Sequence, residues 1–163
     1  MSYLFKPMDE AAAEQMAKWV YPPPYDFYNF EYSEETIDEL MNGEYWHVLG
    51  PDGQTAGFFC SGESARLSSG YKAGIYEDDT CVDIGLGLKP SLTGAGLGVE
   101  FVAEGLEFIR KQVNPNGVRF RLAVAEFNHR AIKVYERCGF ESKRTVISMV
   151  NGQEVPFIYM ERR

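Results

Sequence analysis

The sequence predicts an α/β (α+β) fold for one domain covering residues 1–163, and three observations predict it. Short alternating apolar stretches recur about seven times, the signature of strands. Amphipathic stretches at helical spacing are mixed among them rather than segregated at one end. Glycine, proline and Asn-Gly punctuation separates the pieces, with no repeat, low-complexity tract or linker between them.

Taken in order, Tyr3 to Phe5 reads as a short strand and Asp9 to Val20 as an alanine-rich helix with Asp9 as N-cap. The segment YPPPYDFYNFEY then forces an extended loop, because three prolines cannot continue a helix. Ser33 caps a second helix, which carries Glu34 and Glu35 in its first turn and ends at Gly43. Strands follow at Tyr45–Leu49 and Thr55–Ser61, joined by a Pro-Asp-Gly turn. Gly62 to Asp79 is polar and carries no periodic pattern. A strand from Cys81 to Lys89 leads to the glycine-rich TGAGLG, and a helix spans about Gly98 to Val113. After an NPNG turn, Val118 to Ala125 reads as a strand and Asn128 to Cys138 as a helix stopped by Gly139. Two last strands flank Asn151-Gly152, a hairpin signal.

Composition excludes several classes. The net charge of −8 argues against broad nucleic-acid binding and is compatible with a cationic acceptor such as an amine. No apolar run approaches membrane-spanning length, and MSYLFKPMDE lacks the features of a signal peptide, so a cytoplasmic protein is expected. Three widely spaced cysteines and two histidines offer no metal-ligand spacing, so no metal is expected.

TGAGLG places glycines at 94, 96 and 98, where a helix must start. A helix N-terminus presents unpaired N–H groups and partial positive charge, and missing side chains let phosphate oxygens approach. An anionic ligand, a pyrophosphate, is the expected occupant; a ligand-free glycine loop is the alternative. Gly98 is followed by Val99-Glu100 rather than Lys-Ser/Thr, which rules out a P-loop, and the third glycine comes one residue early for a dinucleotide fingerprint. Along the preceding strand, Asp83, Gly85, Gly87 and Lys89 share a face opposite Val82, Ile84, Leu86 and Leu88. In the strand 118–125, Val118, Phe120, Leu122 and Val124 line one face, and Ala123 and Ala125 follow two arginines on the other. Two strands with bare surfaces leave room for a slender chain, and a slender chain bearing a pyrophosphate describes coenzyme A.

These residues resemble the GNAT N-acetyltransferase superfamily. Its R/Q-x-x-G-x-G/A loop falls on Thr93 to Gly98, with Thr93 in place of the usual Arg or Gln, and its Asn-x-x-Ala-x-x-x-Tyr-x-x-x-Gly-Phe signature falls on Asn128, Ala131, Tyr135, Gly139 and Phe140. The resemblance implies a mixed, mostly antiparallel central sheet flanked by helices, and acetyl-CoA as direct acyl donor to an amine without a covalent enzyme intermediate. It implies that the loop residues Thr93, Gly94, Ala95, Gly96, Leu97 and Gly98 hold the pyrophosphate. The backbone of Leu86 and Leu88 pairs with the pantetheine, and Asn128 and Ala131 border the cofactor arm. Tyr135 becomes the general acid for the leaving thiolate; without the motif it reads as a core aromatic beside Ile132 and Cys138. Asp83, by its strand parity, is the candidate base, with a salt-bridged strand carboxylate as the equal alternative.

The aromatic loop supplies Trp19, Tyr25 and Tyr28 as candidates for an acceptor pocket that takes a small-molecule amine or a peptide N-terminus by cation–π contact. A non-catalytic acyl-CoA-binding module on the same fold is the competing reading, and assembly as a homodimer is left open.

Overall fold

A computed structural model describes residues 2–113 and 119–163; the NPNG turn and Val118 lie outside the described residues. The strands are β1 (Leu4–Pro7), β2 (Tyr45–Leu49), β3 (Thr55–Ser61), β4 (Cys81–Leu88), β5 (Arg119–Ala125), β6 (Glu141–Val150) and β7 (Gln153–Arg162). The helices are α1 (Glu10–Ala17), α2 (Glu34–Leu40), α3 (Ser68–Lys72), α4 (Gly98–Val113) and α5 (His129–Arg137). Capping fixes the helix starts. Asp9 Oδ1 accepts from the Ala12 amide at 2.7 Å and Ser33 Oγ from the Thr36 amide at 3.2 Å, so each satisfies an otherwise orphaned donor. α1 stops at Ala17, three residues before the expected Val20, because the last turn tightens (Lys18 N to Gln15 O, Trp19 N to Met16 O) on the approach to Pro22. The unpatterned stretch 62–79 folds into 3-10 turns at Gly62–Ala65 and Ile75–Glu77 around the short α3, elements too brief to show a period.

Seven strands form one sheet in the order β1-β2-β3-β4-β5-β7-β6. Every neighbouring pair is antiparallel except β4 and β5, which α4 connects as a parallel crossover. On one face, Ile84, Phe120, Leu122 and Val124 pack against Val102, Leu106 and Ile109 of α4 and against the apolar side of α5. On the other, Phe58, Cys60 and Tyr45 pack against Ala12, Ala13 and Met16 of α1 and Leu40 of α2. The alternation read from β4 and β5 thus puts Ile84, Phe120, Leu122 and Val124 on the α4–α5 side of the sheet.

Candidate active site

The parallel seam between β4 and β5 is short. Cys81, Val82 and Asp83 pair with Arg119, Phe120 and Arg121, and there the register ends. Beyond it, β4 continues to Leu88 paired with β3, and β5 continues to Ala125 paired with β7. The two strands part, and a cleft opens between their C-terminal halves. The Lys89 amide donates to Ala56 O, so the odd-numbered residues of β4 direct their backbone groups toward β3. By alternation the N–H and C=O of Leu86 and Leu88 face the cleft. On the other lip the Glu126 amide is spent on Pro156 O, which leaves the Ala125 amide aimed into the cleft. From Asp83 to Leu88 the open edge of β4 is roughly 17 Å long at the usual rise per residue.

The glycine loop sits at the mouth of this cleft. Gly94 and Gly96 have φ of +74° and +78°, a conformation that glycine adopts without strain. Residues 94–96 are exposed, and nothing lies within 4 Å of a Cβ built at Gly96. Gly98 has a different task from the one expected. A Cβ there would lie 2.9 Å from Val134 Cγ2, so this glycine lets α4 pack closely on α5 rather than clearing a phosphate path. The Phe101 amide bonds to Leu97 O, which leaves the first-turn amides of Gly98 and Val99 without an intrahelical acceptor. Thr93 turns its hydroxyl back onto Pro90 O at 2.7 Å, so its side chain is spent on the loop itself. A cation stands there all the same. Arg130 brings Nη1 to 3.2 Å from the Gly94 Cβ position while its guanidinium stacks 4.3 Å from the Tyr25 ring centre.

On α5, Asn128 Oδ1 accepts from the Ala131 amide at 3.2 Å and caps the helix, which frees Nδ2 to donate to the Tyr28 hydroxyl at 3.1 Å. Tyr135, about two turns further along α5, packs edge-on against Phe140 with ring centres 5.9 Å apart. Burial pushes its phenol well above the ordinary tyrosine range, and the nearby Tyr28 adds to the rise. Among the described residues its hydroxyl has no hydrogen-bond partner. Tyr135, Asn128 and Tyr28 thus converge at the β5 lip.

Three expectations need correction. Asp83 is not free on a bare face: it is buried, its Oδ1 takes Arg121 Nε at 2.6 Å, and its Oδ2 takes Arg121 Nη2 at 3.0 Å and Arg66 Nε at 2.8 Å. Both oxygens are occupied by guanidinium donors, so this is a structural clamp at the closed end of the cleft. The face above Gly85 and Gly87 is likewise filled, by Cys60 and Ala65 and by the Phe58 ring. Among the residues expected to line an acceptor pocket, Trp19 is buried in the α1–α2 core, whereas Tyr25 and Tyr28 lie against the start of α5, held by Arg130 and Asn128.

Sequence reasoning missed Arg66 and Arg130, and it read Tyr21 only as one of the aromatic rings of the acceptor loop. Tyr21 instead donates to Leu88 O at 2.6 Å, Arg66 lies in the unpatterned stretch, and Arg130 looks like an ordinary exposed helical arginine. No motif position marks either arginine.

Comparison with known proteins places the fold. AAC(6')-Ib in complex with parmomycin and acetyl-CoA superposes with a TM-score of 0.75 at 19% identity, over 99% of this chain and 93% of that one. A mutant of the SpeG spermidine N-acetyltransferase from Vibrio cholerae gives 0.66 at 16% identity, over 98% and 92%. A GNAT-family acetyltransferase from Bacillus anthracis gives 0.66 at 11%, over 98% and 93%. No curated protein sequence matches the chain. Identities this low speak for the fold alone, but the sequence model of the acetyltransferase (GNAT) family matches residues 12–140, most of the chain. With the split sheet, the glycine loop at its mouth and the motif on α5, the protein belongs to the acetyltransferase (GNAT) family.

Proposed function

We propose that the protein, acting as a single domain, is an acetyl-CoA-dependent N-acetyltransferase that moves an acetyl group directly to a primary amine of a small molecule or a peptide N-terminus. The observation that carries this reading is the cleft that opens after Asp83 and Arg121, with exposed Gly94–Gly96 at one end and Tyr135 carried beside it on α5. The residues present fit coenzyme A. The amides of Gly94 to Gly98 and the Arg130 guanidinium receive the pyrophosphate, with Thr93 shaping the loop. The cleft-facing groups of Leu86 and Leu88 pair with the pantetheine amides, and Asn128 and Ala131 border the arm.

When bound, acetyl-CoA supplies the thioester that the acceptor amine attacks. Tyr135 Oη gives its proton to the departing sulfur; as a phenol held above its ordinary range it stays protonated across neutral pH, ready for a leaving group with a pKa near 8.5. Asp83 holds Arg121 and Arg66 in place at the end of the cleft, and the acceptor ammonium loses its proton to water or to another group. Solved relatives of the fold are named for spermidine and for an aminoglycoside complex, which supports a small-molecule amine. The test is acetyl-CoA titration followed by thiol release over a panel of polyamines, aminoglycosides and short peptides. With the accepted amine, Tyr135→Phe lowers kcat by about 10²–10⁴ and leaves the acetyl-CoA Kd unchanged. Unchanged turnover in that variant would favour a different acid, and wild-type binding without transfer to any amine would favour a non-catalytic acyl-CoA module.

A further inference from the structure

Strand separation leaves backbone groups on both lips of the cleft without a ladder partner, and buried backbone polar groups are rarely left unpaired. Two hydroxyls of one loop fill that need. Tyr21 Oη donates to Leu88 O at 2.6 Å on the β4 lip. Tyr28 Oη accepts from Asn128 Nδ2 at 3.1 Å and sits beside the Ala125 amide on the β5 lip. The loop that carries both is closed on itself, because the Tyr21 amide donates to Asn29 Oδ1 at 2.8 Å. Phe27 anchors it, edge-on to Phe127 with ring centres 5.3 Å apart and against Phe157 at 6.1 Å. Segment 21–29 is therefore a strap fastened at its middle, with one tyrosine reaching to each lip.

We infer that Tyr21 and Tyr28 are stand-ins for the pantetheine arm, taking the same lip hydrogen bonds in the ligand-free protein and being displaced from them when coenzyme A enters. This rests on the coenzyme A reading above. The geometry sets the two occupants in competition at Leu88 O and at Asn128 Nδ2, since each of these atoms already meets a hydroxyl at hydrogen-bond distance. Both phenols are desolvated, and burial pushes Tyr21 up to about 12, so their release restores them to water. The Phe27 anchor keeps the strap in place while the two rings swing.

Calorimetric titration of the full chain with coenzyme A tests this in wild type, Tyr21→Phe and Tyr28→Phe. Each variant deletes a competing hydrogen bond, so each is expected to bind coenzyme A about two- to tenfold more tightly than wild type. A purely structural role predicts weaker binding. Hydrogen exchange in segment 19–32 supplies the second measurement, and with saturating coenzyme A it is expected to quicken even as residues 93–98 slow. Wild-type binding with no gain in either variant, or a strap that only slows, overturns the inference and leaves the acetyltransferase reading intact. Failure of the wild type to bind coenzyme A at all overturns both.

Discussion

Gly98 on α4 and Val134 on α5 approach so closely that a Cβ on the glycine would lie 2.9 Å from Val134 Cγ2. The packing of α4 on α5 is set by that contact. Gly98→Ala forces them apart and is expected to cost about 1–3 kcal/mol of stability, as overpacking does. Urea denaturation reads it, with Gly98→Ala, Val134→Ala as the rescuing double variant; no recovery in the double variant would separate the cost from this contact.

Arg130 carries the charge that Thr93 does not. Arg130→Gln is expected to weaken coenzyme A binding about five- to thirtyfold, in line with loss of one charge-assisted hydrogen bond, and to flatten the dependence of Kd on salt. Isothermal titration across ionic strengths measures both. Equal salt slopes in wild type and variant would remove the guanidinium from the phosphate site.

The Asp83 clamp predicts a stability phenotype rather than a kinetic one. Asp83 and Arg121 are 3% and 2% exposed, and Asp83→Asn leaves two guanidiniums facing a neutral amide. Breaking a buried pair on one side costs about 3–5 kcal/mol, read as a lowered urea midpoint. A folded, stable Asp83→Asn enzyme with kcat down and its acid limb lost would instead restore Asp83 as the base.

Tyr135 sets the alkaline behaviour. Burial raises its pKa above the ordinary value near 10, and only the protonated phenol can act as the acid. Turnover is therefore expected to hold from neutral pH up to about pH 10 on this account, with no descending limb assignable to the phenol. A loss near pH 8–9 that disappears in Tyr135→Phe would contradict that ionisation order.

His47 gives the protein a mild acid sensitivity. It is 8% exposed with Nε2 at 2.8 Å from Thr55 Oγ1, and burial, opposed by Asp9, lowers its pKa. The unfolded chain, with an ordinary value of about 6.5, then binds the proton more readily than the folded one. Stability from this group is complete above about pH 6.5 and declines as pH falls from there toward the folded value. Denaturation midpoints at pH 7.5 and 5.5, compared with His47→Gln, isolate the contribution.

Most of the fold was legible because its elements announce themselves locally. β2 and β3 fall at the residues their alternation marks, and Asp9, Ser33 and Asn128 cap the helices they precede. The same locality explains the failures. Strand parity placed Asp83 on a face without saying that Arg66, from an unpatterned segment, and Arg121, from a strand reached only across α4, would close over it. Gly94, Gly96 and Gly98 look alike in the sequence, but two answer to backbone dihedrals and one to a neighbouring helix. Tyr25 and Tyr28 were recognised as site residues, whereas their place against the start of α5 depends on Arg130 and Asn128, about a hundred positions away.

The three-pair seam between β4 and β5 also orders how the chain assembles. On either side of it, β2 with β3 and β6 with β7 are hairpins that close on nearby residues, whereas the seam waits until α4 has been traversed, and non-local parallel pairing is slow to form. The two wings of the sheet can therefore mature separately, and their stitching comes late. Once formed, the seam is locked at its last register position by the buried Asp83–Arg121 pair.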